Sequence, residues 1–233
     1  MESTRKLLLI SNSTLHGGGY LDHAEDAIRS FLNPGAVLYF VPFALYDRDA
    51  YATMARERLA EMGCTVQSAH EKGSSLVRAD AIFVGGGNTF RLLDALYRHS
   101  LLTEIRDAVG EGMPYVGSSA GSIVACPTLK TTKDMPVIEP PSFEALDLVP
   151  FQISPHYLDP DPASTHMGET QEERIMQYLE ENDRRVVGLR EGSMLVVESE
   201  TVTLMGVVGA RLFEKGRPAV EYAPGDRIDA LLD

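Results

Sequence analysis

Cysteine is scarce in this chain: two residues, Cys64 and Cys126, in 233. They stand far apart, with no Cys-x-x-Cys pair and no metal-ligand spacing, so neither a disulfide framework nor a cysteine metal site is written here. They read as buried thiols in a reducing compartment. Positive charge is also short. Lys and Arg number 21 against 34 Asp and Glu, a formal net charge of −13. Neutralising phosphates requires clustered cations, so the composition argues against a nucleic-acid partner and against an anionic membrane surface. No stretch approaches the roughly eighteen apolar residues of a membrane span. The run from Leu7 to Ile10 is too short for the core of a signal peptide. Repeats, low-complexity tracts and linkers are missing as well. The chain is 44% hydrophobic, enough for a proper core. It reads as one cytoplasmic domain over residues 1–233, a monomer or a homodimer.

What is present is an alternation of apolar runs with helical patterns. Continuous apolar runs from Lys6 to Ser11, Ala36 to Val41, Ala79 to Val84 and Met113 to Gly117 predict strands buried on both faces. Helices are predicted between them from Leu21 to Phe31, Ala50 to Met62, Phe90 to Tyr97 and Leu102 to Val109. That order predicts an α/β fold, a mostly parallel sheet with helices on both faces. Five prolines from Pro127 to Pro150 predict a structured loop region beside the site. Beyond it come a strand at Phe151 to Ser154, a helix from Thr170 with Glu173 completing a capping box, and a strand at Val186 to Leu189. Hairpin-like strands are predicted at Met194 to Glu198 and Val202 to Gly206. A surface tail is predicted from Ala223 onward.

The chain is organised around Tyr115-Val116-Gly117-Ser118-Ser119-Ala120-Gly121. An apolar run ending in Gly-x-Ser-x-Gly before a small-residue helical run is the form of a nucleophile elbow, a sharp strand-to-helix turn. It makes Ser119 the nucleophile and sends Ser118 elsewhere. The Ala120 N–H can face a developing oxyanion. The glycine-rich turn Gly85-Gly86-Gly87-Asn88 lacks the spacing of a dinucleotide fingerprint and the Lys of a P-loop. It can supply the second oxyanion donor, Gly87 or Gly86, with Gly87 preferred.

A serine at neutral pH needs a base within hydrogen-bond reach. Of six histidines, His156 directly follows an apolar strand, at what is expected to be the same edge of the same sheet as Ser119. His16 and His166 lie in loops and are weaker candidates; His23 falls in a helix, and His70 and His99 in polar segments. The base needs an acid, and two compete. Glu191 follows the strand at Val186 to Leu189. Asp134 lies in the proline-rich loop. Glu191 is preferred, because a strand end positions a group more rigidly than a loop.

Together these segments resemble a known family. Leu8 to Thr14, Gly85 to Phe90, Gly117 to Gly121, Thr132-Lys133-Asp134-Met135-Pro136, Pro155-His156 and Gly168-Glu169-Thr170 stand in the order and spacing of peptidase E, the α-aspartyl dipeptidase family of serine peptidases. The resemblance runs from about residue 6 to about residue 215. It implies a fold like that of the class I glutamine amidotransferases, flavodoxin-like, with a Ser-His-Glu triad. It implies hydrolysis of dipeptides with an N-terminal aspartate, without metal or cofactor. Carried onto this chain, the triad is Ser119, His156 and Glu191. Asn88, Glu169, Gln171 and Arg174 fall to substrate binding, with Glu169 suited to the free α-ammonium. One departure stands out. The family's Gly-Glu-Thr is usually followed by Arg, suited to the aspartate carboxylate, whereas this chain has Gln171. A neutral amide cannot make that charged pair. Either Arg174 substitutes, or the enzyme is a serine hydrolase of the same fold with another substrate preference.

Overall fold

Lys6–Ile10 forms β1, an inner strand of the sheet that carries the elbow. Its side chains alternate between two cores: Leu7 and Leu9 enter one, Leu8 and Ile10 the other, and all four are fully buried. This explains the unbroken apolar run, since a strand covered on both faces has no polar side. The structure is a computed structural model describing residues 5–165 and 167–232. His166 lies outside the described residues.

In chain order follow α1 (Glu25–Phe31), β2 (Val37–Val41), α2 (Arg48–Glu61), β3 (Thr65–Ser68), β4 (Ala81–Val84), α3 (Thr89–Arg98), α4 (Leu101–Gly110), β5 (Tyr115–Ser118) and α5 (Ala120–Val124). Then come β6 (Gln152–Pro155), α6 (Gln171–Glu181), β7 (Val186–Leu189), β8 (Ser193–Glu198), β9 (Thr201–Gly206), β10 (Ala210–Phe213) and β11 (Val220–Tyr222). The main sheet has seven strands in the order β3-β2-β4-β5-β1-β8-β9. The strands from β3 to β1 are parallel, while the β8–β9 hairpin closes one side antiparallel. Helices α1 and α2 cover one face; α3, α4 and α5 cover the other. Thr170 caps α6 with a complete capping box: its hydroxyl accepts the Glu173 N–H, and the Glu173 carboxylate accepts the Thr170 N–H. Among the described residues no helix is long and apolar enough to cross a membrane.

Two features depart from the sequence reading. The strand before His156 is not in the sheet of Ser119. It belongs to a second, four-stranded sheet in the order β11-β10-β7-β6. An apolar run specifies burial but not which neighbour completes the hydrogen-bond ladder, and here β6 pairs in parallel with β7. The C-terminal segment is also not a surface tail. Ile228 and Leu231 are almost fully buried in the main core, and Ile228 N donates to Val202 O at 2.8 Å. The segment shows little periodicity, yet Ile228 and Leu231 each add the burial of a full side chain, about 1.5–3 kcal/mol, and Leu232 packs beside them.

The carboxyl ends of the two sheets meet through β1. The residue after it, Ser11, is fully buried. Its Oγ donates to Leu189 O at 2.8 Å and accepts the His156 N–H at 2.9 Å. Asn12 Oδ1 accepts the Gly192 N–H at 2.8 Å. These bonds fix the ends of β6 and β7 against the edge from which Ser119 projects.

Candidate active site

Ser119 sits between β5 and α5 at φ 52° and ψ −109°, a conformation that costs about 1–3 kcal/mol in a non-glycine residue. Its N–H donates to Ile10 O at 2.9 Å, and its carbonyl accepts the Ser122 and Ile123 N–H groups. The turn is tight enough to require its flanking glycines. A Cβ on Gly121 would lie 2.1 Å from Val84 O, and one on Gly117 would lie 2.6 Å from Gly121 O. Ser118 turns away, its Oγ 2.9 Å from Ser13 Oγ.

Ser119 Oγ lies 2.9 Å from His156 Nε2, and His156 Nδ1 lies 2.6 Å from Glu191 Oε1. The two partners meet because β6 and β7 are parallel and in register, Pro155 beside Leu189, so each strand end delivers its next residues to the same place. The neighbouring backbone is clamped. Arg190 reaches Asp159 at 2.7 and 2.8 Å and Glu221 at 3.0 and 3.1 Å. These carboxylates hold its pKa above the ordinary arginine value. The His156 and Glu191 side chains stay substantially exposed, 40% and 46%, leaving a way in for substrate.

Asp134 does something else. Its Oδ2 accepts the Thr89 N–H at 2.7 Å, the Thr89 hydroxyl at 2.6 Å and the Thr132 hydroxyl at 3.2 Å. It ties the proline-rich loop to the start of α3. Asn88 is similarly committed: its Oδ1 accepts the Arg91 N–H at 3.0 Å as the α3 cap, and its Nδ2 donates to Met135 O at 2.8 Å.

At the first turn of α5 the Ala120 N–H meets no hydrogen-bond acceptor among the described residues, nor does the Gly87 N–H. The Gly86 N–H lies near the Tyr51 hydroxyl and opposes the rise in that phenol's pKa caused by burial.

Gln171 begins α6 and faces the backbone of His156. Its Nε2 donates to His156 O at 3.2 Å, while its Oε1 accepts from Leu158 N and from Lys133 Nζ, both at 3.0 Å. Glu169 accepts from Gln177 Nε2 at 2.7 Å and lies 3.6 Å from Arg174 Nε. The other histidines are used elsewhere. His70 joins Ser68 to Asp49, His99 stacks on Phe43, His16 is exposed in its loop, and burial lowers the pKa of His23. No three His, Cys, Asp or Glu among the described residues gather in a way that could hold a metal.

Two participants escaped the sequence reading. Ser11, the hub between the strand ends, and Lys133 both stand in segments that carry the family resemblance, but the sequence assigned neither a role. The place of Ser11 directly after a doubly buried strand was a legible signal, whereas the partners of Lys133 come from β6 and α6, distant in sequence.

Comparison with known proteins gives the family. The model of peptidase family S51 matches residues 7–205. The chain belongs to peptidase family S51. Peptidase E of Streptomyces coelicolor is 57% identical over 97% of this chain and 95% of its own length. A Drosophila melanogaster protein named probable alpha-aspartyl dipeptidase is 48% identical over 100% of this chain and 99% of its own. The crystal structure of a peptidase from an acI-B1 actinobacterium shares the fold, with a TM-score of 0.70 at 16% identity over 97% of both chains.

Proposed function

We propose that this S51 peptidase is a cytoplasmic α-aspartyl dipeptidase of one domain. It hydrolyses Asp-Xaa dipeptides through an acyl-enzyme formed on Ser119. The observation that carries the reading is the unbroken chain from Ser119 Oγ through His156 to Glu191. The naming of full-length relatives as peptidase E and alpha-aspartyl dipeptidase supports the substrate class.

His156 Nε2 takes the proton of Ser119 as Oγ attacks the carbonyl carbon of the N-terminal aspartate. Glu191 accepts the Nδ1–H, holds the ring in that tautomer and stabilises the imidazolium. The Ala120 and Gly87 N–H groups receive the oxyanion. As the C–N bond breaks, His156 returns the proton to the leaving amine. A water, deprotonated by His156, then attacks the ester; as the C–Oγ bond breaks, His156 returns that proton to Oγ, releasing aspartate and regenerating Ser119. Glu169 receives the substrate's α-ammonium, which makes a free N-terminus a requirement. Asp134 and Asn88 act as scaffold.

The test of the machinery is labelling by a fluorophosphonate beside turnover of Asp-Leu. The reading expects stoichiometric label on Ser119, and neither label nor turnover in Ser119→Ala. Label elsewhere, or turnover surviving that change, overturns the assignment.

A further inference from the structure

A dipeptide beginning with aspartate brings a second carboxylate to a protein that is itself strongly acidic, with a net charge of −13. Recognition requires a cation beside the triad. The arginines there are already paired. Arg190 is held by Asp159 and Glu221, Arg211 by Glu172 and Glu221, and Arg174 leans on Glu169 at 3.6 Å. Lys133 is different. Its ammonium donates to Pro155 O at 2.5 Å, His156 O at 3.1 Å and Gln171 Oε1 at 3.0 Å, all of them neutral oxygens. It touches the residue that carries the general base, yet no carboxylate bonds to it. The nearby carboxylates are occupied, Asp134 by the start of α3 and Glu191 by His156.

Resting on the aspartyl dipeptidase reading, we infer that Lys133, and not Arg174, is the cation that selects the aspartate side chain, with Gln171 as its hinge. The Gln171 amide, at the start of α6, holds the ammonium at 3.0 Å. On binding, the carboxylate takes the place of Gln171 Oε1 in the lysine's shell. Lys133, Gln171, Thr131, Thr132, Ser154 and Arg174 line a cleft of about 80 Å³, small enough to admit a carboxylate and not a bulky side chain.

The protonation balance agrees. Burial of the ammonium end pulls the Lys133 pKa down to about 8, against the upward pull of Asp134 and Glu191 and with the downward push of Arg174. Those two carboxylates do not bond to the ammonium, and an incoming carboxylate that did would favour its charged form.

The experiment compares wild type, Lys133→Met, Lys133→Arg and Arg174→Met in kcat/KM for Asp-Leu, in fluorophosphonate labelling rate at Ser119 and in melting temperature. Labelling needs the triad and oxyanion donors but no side-chain carboxylate. Lys133→Met is expected to lower kcat/KM for Asp-Leu at least tenfold more than it lowers the labelling rate. That is the scale of a lost hydrogen bond to a charged group. Lys133→Arg should restore part of the loss, and Arg174→Met should fall short of Lys133→Met. Equal losses in turnover and labelling would make Lys133 a support for His156 and overturn the inference, as would unimpaired turnover or a larger loss in Arg174→Met. Wild type that labels at Ser119 but leaves Asp-Leu intact would overturn the substrate reading itself, and this inference with it.

Discussion

Ser119 and His156 meet at 2.9 Å from backbones that both carry φ of 52°. Each is the first residue beyond a parallel strand, in different sheets, and each turns sharply to stand above the strand ends. Such strain persists only where surrounding structure over-determines it. Here Ile10 O holds the Ser119 N–H and Ser11 Oγ holds that of His156, so β1 sets both residues.

The strain makes a prediction. Glycine adopts positive φ without cost, and alanine does not. Ser119→Gly should therefore melt a few degrees above Ser119→Ala, corresponding to about 1 kcal/mol. Both should lose turnover by about four orders of magnitude or more, the scale seen when a member of such a unit is removed. Equal melting temperatures, compared by calorimetry, would count against a strained elbow.

The two candidate acids should separate cleanly. Glu191→Gln, which spoils the tautomer of His156, should lower kcat by about three to four orders of magnitude with little change in stability. Asp134→Ala should show the opposite balance. It leaves the N–H of fully buried Thr89 without its partner, a cost of about 1–3 kcal/mol. A chemical-denaturation series with parallel kinetics would read both. A larger loss of kcat in the Asp134 variant would reverse the assignment.

The thiols should be silent. Cys126 is fully buried and Cys64 nearly so, and burial pushes both pKa values up, away from the reactive thiolate. Native protein should retain activity in iodoacetamide and lose it to a fluorophosphonate. Rapid inactivation by the alkylating agent would implicate a cysteine and contradict a serine mechanism.

The uneven legibility of this chain has a physical basis. The elbow was readable because its requirements are local: a buried strand, two glycines that admit no Cβ, and a short helix. The α6 capping box was readable for the same reason, since Thr170 and Glu173 lie one turn apart. His156 and Glu191 could be placed at strand ends, but not in their own sheet, because the pairing of β6 with β7 is decided by residues more than thirty positions apart. Lys133 lies furthest from local logic. Its meaning comes from carbonyls on β6 and an amide on α6, and a lysine in a loop otherwise reads as a solvated charge.

Protonation of Lys133 should appear in the pH profile. With a pKa of about 8, the ammonium is present below that pH and lost as pH rises through it. KM for Asp-Leu should climb above about pH 8, and substrate binding should shift the rise upward by stabilising the charged form. The substrate's own α-amine titrates in the same range, near 7.7–8.0. The decisive comparison is therefore Lys133→Arg, whose guanidinium stays charged. Its profile should lose the part of the rise that belongs to the lysine. Superimposable profiles would show that Lys133 does not titrate against substrate.

The central claim is tested most directly by hydrolysis of Asp-Leu beside Asn-Leu, Ala-Leu and N-acetyl-Asp-Leu, with Ser119→Ala as the control. The account predicts rapid release of aspartate from Asp-Leu, at least tenfold slower turnover of the others, and none in the control. Cleavage of Ala-Leu as fast as Asp-Leu, or of the acetylated peptide as fast as the free one, would contradict it.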